Sequence, residues 1–391
     1  MRKLGAADLE VKGRRVFVRV DFNVPVENGV VGDDTRIRET LPTLRLLIER
    51  GAKLVLASHL GRPKGTPKPE FSLAPVGERL SSHLGRPVKF VGAIVGPSVD
   101  EAVGKLGEGE VLLLENLRFD PGEETNDPAF AKKLASTAEL YVNDAFGAAH
   151  RAHASTAGMV KHFPRAAAGL LMERELHYLG MALSSPPRPF VGLLGGAKVS
   201  DKIDVVRSLL GKVDRLLIGG GMTYTFLRAK GLPTGKSLVE EDKVDLAREL
   251  LSEGRAKLAL PRDHVVASRF EASAETRTLP IGEIPDGWMG LDIGPATVAA
   301  YGEDIRKSKL VVWNGPMGVF EMEPFAQGTV KLAEIVASSD ATSIVGGGDS
   351  VAAIDRAGVA DRITHISTGG GASLEFLAGK KLPGVEVLTD A

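Results

Sequence analysis

Two doubly wound α/β domains, each a Rossmann-like parallel sheet with helices on both faces, are the architecture this sequence predicts. Three observations lead there. The chain has 391 residues, more than one hydrophobic core ordinarily serves. Short runs of Leu and β-branched residues alternate with helix-period patterns along the whole length. The runs are apolar at successive positions, as expected of strands buried on both faces of a parallel sheet. Finally, the runs fall into two successive sets, so two sheets are expected and not one.

In the first set the strands are "RRVFVRV", "AKLVLAS", "EVLLLEN" and "ELYVNDA". In the second they are "PFVGLLGG", "RLLIGGG", "KLALP", "KLVVWNG", "ATSIVGGG" and "ITHISTGGG". Between the sets lies "AAAGLLMERELHYLGMALSSPPRPF", where Leu170, Leu171, Leu176 and Leu179 mark a helix that Pro186, Pro187 and Pro189 stop. The spacing therefore predicts an N-terminal domain over residues 1–168, a linker helix over about 169–185, and a C-terminal domain from 169 to 379. The stiff connector invites hinge motion.

Composition narrows the functions. The formal net charge is −1, which excludes a global electrostatic grip on nucleic acid or on an anionic membrane. There is no cysteine, hence no disulfide, thiolate nucleophile or Cys–zinc site. The start, "MRKLGAADLEVKGRR", has no apolar signal segment, and no run reaches the length of a membrane span. A soluble, cytoplasmic protein is expected. Gln occurs once, at Gln327, beside many Arg and Pro, which suggests a thermophilic source.

Ligands of parallel α/β sheets bind beyond the carboxyl ends of the strands, and the two halves differ there. First-half strand ends are polar and basic: Asp21 and Asn23, then His59 and Arg62, then Arg118, then His150, Arg151 and His153, with Arg36 just before a helical pattern. Arginine forks suit paired recognition of carboxylate or phosphate oxygens. Asp21 among them would accept a proton from a ligand hydroxyl. Together they predict a small, multiply anionic, hydroxylated ligand such as a phosphorylated hydroxy acid.

Second-half strand ends carry glycine instead. The chain has 46 glycines, roughly 12 % against a usual 7 %, many of them clustered at Gly195–Gly196, Gly219–Gly221, Gly346–Gly348 and Gly369–Gly371. Glycine before a helix bares amide N–H groups for phosphate. "GGAKVSDK" adds Lys198 and Lys202, four apart and so on one helical face, and "GGGDS" adds Asp349, suited to Mg²⁺ directly or through water. A nucleotide with its metal is expected here. "GLPTGKS" is not its phosphate loop: it is one residue short of the required spacing, no strand precedes it, and Gly231 reads as a helix stop. No glycine run has the dinucleotide-binding spacing.

The segments "RVDFNVP", "SHLGRP", "LLLENLRF", "YVNDAFGAAHRAHAS", "LGGAKVSDK", "GGGMTYTFL", "WNGPMGVFE", "GGGDS" and "STGGGASLEFL" together resemble the phosphoglycerate kinase family, in family order and over nearly the whole chain. The resemblance implies reversible phosphoryl transfer from 1,3-bisphosphoglycerate to ADP, giving 3-phosphoglycerate and ATP in glycolysis, directly and in line, with Mg²⁺, after domain closure. Carried over position by position, Asp21, Asn23, Arg36, His59, Arg62, Arg118 and Arg151 would hold the glycerate. Lys198, Lys202, Gly219, Gly220, Gly221, Gly294, Asn314, Glu321, Gly347, Gly348, Asp349 and Ser350 would hold the nucleotide, with Asp349 organising the metal. Arg36, Lys198, Gly370 and Gly371 would face the transferring phosphoryl group. The resemblance also implies a monomer, and a C-terminal segment 380–391 that returns to the N-terminal domain. A different two-domain kinase, or a binding protein that closes without chemistry, are the competing readings.

One apparent repeat needs sorting. His-Leu-Gly-Arg-Pro occurs at 59–63 and again at 83–87. The first copy follows a strand and belongs with the basic strand ends. The second follows Leu73, Val76, Leu80 and Leu84, one face of a helix that Gly85 ends, so His83 and Arg86 read as solvated helix-end residues.

Overall fold

The computed structural model describes residues 2–391. The chain divides into two compact units, Met1–His177 with Lys381–Ala391, and Tyr178–Lys380.

The first unit is built on six strands: β1 (Arg15–Arg19), β2 (Lys53–Ala57), β3 (Val88–Val91), β4 (Val111–Leu114), β5 (Leu140–Asn143) and β6 (Ala166–Ala168). They pair in the order β3-β4-β2-β1-β5-β6, every pair parallel. Helices α1 (Thr35–Glu49), α2 (Ala74–Leu84), α3 (Pro97–Gly104) and α4 (Pro128–Ala135) accompany the sheet. Val16, Val18, Leu54, Leu56, Leu113 and Val142 of the strands form one core with Leu44, Leu47, Val76 and Leu80 of α1 and α2. Lys381–Ala391 is part of this unit: the Leu4 N–H donates to Thr389 O (2.8 Å), the Thr389 N–H to Ala166 O (3.0 Å), and Asn143 Nδ2 to Gly384 O (3.1 Å).

The sequence reading passes over β3 and β6. β3 is an edge strand with Phe90 partly in solvent, and β6 is three alanines, which carry no β-branched signal. The division between units falls inside α5 (Leu170–Ser184), between His177 and Tyr178. Its first turn is capped from the first unit, by Thr43 Oγ1 on the Leu170 N–H and Asp144 Oδ1 on those of Leu171 and Met172. Its last turn is tied within the second unit, by Lys212 Nζ on Leu183 O.

The second unit repeats the plan. Its main-sheet strands are β7 (Phe190–Leu194), β8 (Arg215–Ile218) and β9 (Leu258–Ala259), then β13 (Leu310–Asn314), β14 (Thr342–Gly346) and β15 (His365–Ser367). The order is β9-β8-β7-β13-β14-β15, again all parallel. Between β9 and β13 the chain makes a separate antiparallel sheet of β10 (Asp263–Ala267), β11 (Thr276–Pro280) and β12 (Met289–Ile293), with β10 central. The sequence reading contains no such sheet, because β11 is largely exposed and shows no apolar run. Helices α6 (Ile203–Leu210), α7 (Met222–Ala229), α8 (Val244–Gly254), α9 (Pro295–Lys307), α10 (Gln327–Ala337), α11 (Gly348–Arg356) and α12 (Gly371–Leu377) complete the unit. Val191, Leu193, Val311, Trp313 and Val345 pack with Ile305, Leu332 and Ile354. Among the described residues no helix is long and apolar enough to cross a membrane.

Candidate functional site

A parallel sheet puts every carboxyl end on one edge. In the first unit the four central strands are adjacent in the order β4-β2-β1-β5, and their carboxyl ends deliver Arg118, His59 with Arg62, Asp21 with Asn23, and Arg151 respectively. Arg36 comes from the first turn of α1. Arg36 Nη1 donates to Asp21 Oδ2 at 3.0 Å. Arg118 Nη1 donates to Gly61 O at 2.7 Å, and the Gly61 N–H donates to Asn23 Oδ1 at 2.9 Å. These bonds set the His59–Pro63 loop between its neighbours. Asn116, buried at the end of β4, holds it from behind through the Leu60 N–H and carbonyl. Asp21, His59 and Arg118 are buried, Asn23, Arg36 and Arg151 half-buried, and Arg62 exposed.

The electrostatics follow from packing cations together. Burial acts to raise the Asp21 carboxyl, but Arg36 and Arg19, with the Asn23 N–H, outweigh it and hold it below the ordinary range. Burial, reinforced by Arg19, Arg118 and Arg151, keeps His59 neutral, against the pull of Asp21. His153 is pushed down to about 4 by burial and the same three arginines.

The second copy of the repeated pentapeptide is elsewhere. Gly85 ends α2 in the left-handed region at φ 64°, as the helix reading requires. His83, however, is not solvated: its Nε2 lies 2.8 Å from Asp34 Oδ2, a carboxylate that also takes Arg38 and Arg79. The start of α1 supplies that acid, which sequence periodicity does not reveal. Burial would raise Asp34, but the bonds from His83, Arg79 and Arg38 bring it to about 2. Arg86 stays exposed and donates to Gly109 O.

In the second unit β8, β7, β13, β14 and β15 are adjacent, and each has a glycine at its carboxyl end or within two residues of it. A cavity of about 520 Å³ opens there, lined by Gly196, Ala197, Gly220, Gly221, Lys236, Ser237, Leu238, Phe270, Met289, Gly290, Leu291, Pro316, Gly318, Val319, Glu321 and Asp349. That volume suits a nucleotide-sized ligand. Gly220 is required by geometry: φ is 69°, and a Cβ would lie 2.6 Å from the Gly196 amide nitrogen and carbonyl oxygen. Gly219 sits beside it, over Met317.

Asn314, at the end of β13, ties together the strand ends beside the cavity. It accepts from Lys202 Nζ and donates from Nδ2 to Gly346 O (2.7 Å). Buried Ser350 accepts the Gly315 N–H at 2.6 Å. Burial lowers the Lys202 ammonium, opposed by Asp201 and Asp349. Gly347 is the N-cap of α11, so Gly348, Asp349 and Ser350 form its first turn. Gly370, at φ 53°, is the N-cap of α12, and Gly371 is that helix's first residue; only glycine takes this φ at little strain. Lys198 is exposed in the segment between β7 and α6.

Of the residues carried over for the nucleotide, Gly220, Gly221, Glu321 and Asp349 line the cavity, while Lys198, Lys202, Gly219, Gly294, Asn314, Gly347, Gly348 and Ser350 do not. Gly294 is the N-cap of α9, packed against Asp263. Leu238 and Phe270, large apolar side chains left exposed on the cavity wall, were missed, since an apolar wall has no chemical signature in sequence. Lys236 and Ser237 of the rejected "GLPTGKS" also reach the wall, though as a loop after α7, with Gly231 at φ 74° just past that helix, and not as a phosphate loop. Arg19 was missed as well, although a charge inside a buried strand is itself a signal.

No group of three or more His, Cys, Asp or Glu able to hold a metal occurs among the described residues. Asp349 is a single exposed carboxylate at a helix start facing the cavity. That donor set fits Mg²⁺ arriving with a nucleotide, for which one protein carboxylate plus phosphate oxygens and water suffice.

A cluster of basic side chains at the strand ends of one α/β unit, suited to a small anion, with a glycine-walled cavity of nucleotide size on another, defines a small-molecule kinase. The family model "Phosphoglycerate kinase" matches residues 6–380. A phosphoglycerate kinase of Moorella thermoacetica is 59% identical over 393 residues, covering 100% of both chains, and one of Rubrobacter xylanophilus is 58% identical over 390 residues, covering 100% of this chain and 99% of its own. The solved structure of phosphoglycerate kinase from Coxiella burnetii superposes with a TM-score of 0.91 at 41% identity, covering 98% of each chain. That from Pyrococcus horikoshii gives 0.87 at 36%, with the same coverage. The chain belongs to the phosphoglycerate kinase family.

Proposed function

We propose that this protein transfers a phosphoryl group from 1,3-bisphosphoglycerate to ADP, reversibly, giving 3-phosphoglycerate and ATP in glycolysis. The observation that carries the reading is the convergence of Asp21, Asn23, Arg36, His59, Arg62, Arg118 and Arg151 at adjacent strand ends of one parallel sheet, in a chain of this family. Their chemistry matches a phosphorylated hydroxy acid. Arginine and His59 meet the phosphate and carboxylate, and ionised Asp21 takes the hydroxyl proton as a hydrogen bond.

The nucleotide takes the glycine-walled cavity. Leu238 and Phe270 offer apolar surface to the base and Glu321 a carboxylate to the ribose hydroxyls. Lys198, Lys202 and the helix-start amides at Gly347–Ser350 receive phosphate oxygens. Asp349 would hold Mg²⁺ on the nucleotide, and bound there the ion would neutralise phosphate charge. The acceptor is an ionised oxygen in either direction, the terminal phosphate of ADP or the carboxylate of 3-phosphoglycerate, so no general base is required. The residues align two anions and counter the charge spread over the equatorial oxygens. Arg36, Lys198 and the amides of Gly370 and Gly371 are the groups we assign to that task. The two ligands belong to separate units, so hinge closure must bring them together and exclude water. We infer a monomer acting in the cytoplasm.

Turnover with 3-phosphoglycerate, ATP and Mg²⁺ tests the proposal. Formation of 1,3-bisphosphoglycerate is expected, and folded protein without that activity would overturn the reading.

A further inference from the structure

Arg19, the last residue of β1, is 1% exposed and among the largest fully buried side chains of the described chain. A cation so placed needs partners on all its donors. Its Nε donates to Ser155 Oγ at 2.8 Å, its Nη1 to Val20 O, and its Nη2 lies 3.2 Å from His59 Nδ1. Ser155 in turn donates its hydroxyl to Glu123 Oε1 at 2.6 Å and its N–H to Glu123 Oε2 at 2.9 Å. Glu123 is wholly buried, so the buried cation is matched by a buried acid one residue away.

Donor and acceptor inventory leaves His59 one arrangement. A guanidinium has donors only. The ring nitrogen facing it must therefore be the bare acceptor, and a neutral imidazole with a bare Nδ1 carries its proton on Nε2. The alternative, a proton on Nδ1 shared with Asp21, is not built: Nδ1 lies 4.0 Å from Asp21 Oδ1, too far for a hydrogen bond, and that carboxylate already takes Arg36 and the Asn23 N–H. The burial and neighbouring arginines that keep His59 neutral agree with this.

We propose that Arg19 is a positioning residue for the substrate site: braced by Ser155 and Glu123, it locks His59 in the Nε2–H tautomer, so that the ring offers a hydrogen-bond donor to the oxyanions of the substrate. The step rests on the reading that His59 contacts 3-phosphoglycerate. Histidine left to itself is a mixture of tautomers and gains a proton near neutrality. Held by Arg19 it is a fixed donor whose form does not change through the physiological range.

Nitrogen NMR of the full chain with labelled histidine reads the tautomer directly. Eight ring systems are present, and His59 is assigned by its loss in His59→Gln. The expected result is a protonated Nε2 and bare Nδ1 from about pH 5 to 8. A protonated Nδ1 in the wild type overturns the proposal without any variant having to fold. Kinetics supply the second arm. Arg19→Lys keeps the buried charge but loses the fork, and should raise KM for 3-phosphoglycerate about tenfold while leaving KM for ATP unchanged. Glutamine at position 59 presents an amide donor that needs no tautomer, so in the His59→Gln background the Arg19→Lys penalty should vanish. A penalty that persists there shows Arg19 acting other than through His59 and overturns the proposal. Failure of the underlying reading looks different: His59→Leu with an unchanged KM for 3-phosphoglycerate would remove His59 from the substrate site while the tautomer result stood by itself.

Discussion

Replacing Arg36 by alanine separates its structural work from its catalytic work. In the folded protein its one described partner is Asp21, at 3.0 Å, with side-chain exposures of 33% and 9%. Asp21 would keep only the Asn23 N–H at 3.3 Å. Losing a charge-assisted bond to a buried carboxylate costs about 1–3 kcal/mol. The sign with pH is fixed. Asp21 lies below its ordinary value because Arg36 leads the groups that outweigh its burial. The deficit is therefore full above about pH 4 and closes as pH falls and Asp21 takes up a proton in both proteins. Catalytic loss has a different size. A guanidinium meeting charge that develops on a transferring phosphoryl group contributes about 10³-fold or more to kcat, equivalent to about 4 kcal/mol. Unfolding by urea at several pH values gives the first quantity, and steady-state kinetics with 3-phosphoglycerate and ATP the second. Arg36→Lys should recover much of the stability, since an ammonium still pairs with Asp21, but little of kcat, since the fork is gone. Arg36→Ala that raises KM with kcat intact would refute the catalytic role. Full rescue of kcat by lysine would refute the requirement for a fork.

Three further outcomes are expected. Arg62→Ala should raise KM for 3-phosphoglycerate about tenfold, whereas Arg86→Ala, whose one described bond is to Gly109 O at the surface, should leave KM within twofold and stability within about 0.5 kcal/mol; equal effects would contradict the assignment of the two copies. Ser350→Ala removes the buried acceptor of the Gly315 N–H, costing about 1–3 kcal/mol in unfolding and raising KM for ATP, because Pro316–Glu321 borders the nucleotide cavity; an unchanged melting temperature would show that this bond carries nothing. His264, pushed down to about 4 by burial with Asp263 opposing, is bonded to Tyr224 in the folded state and gains a proton on unfolding. Wild-type stability should thus fall by about 1.4 kcal/mol per pH unit through this group between pH 6.5 and 4, and His264→Asn should lack that slope, so parallel stability curves for the two proteins would refute it.

What could be read in advance depended on whether a residue's environment writes itself into its neighbours. β1, β2, β4 and β5 were legible because burial on both faces forces successive apolar residues. β6 was not, because the buried run Ala166–Ala168 contains nothing β-branched to see. β11 was not, because an exposed strand of the small sheet is under no such constraint. The site divides in the same way. Residues just past a strand are not bound to its apolar pattern, so Arg62 or Arg118 there stands out as chemistry. Arg19 lies within the strand, where a charge in an apolar run is itself unusual, but its role comes from a contact with His59 that is distant in the chain. The two copies of His-Leu-Gly-Arg-Pro carry the argument to its limit. His59 and His83 share their neighbours in sequence, yet one ring is set by Arg19 behind a strand end and the other by Asp34 at the start of α1. Neither partner is within 15 residues of its histidine in the chain, at separations of 40 and 49. A local motif can therefore nominate a histidine, but its protonation state, and with it the bond it can offer a substrate, is decided by residues the motif does not contain.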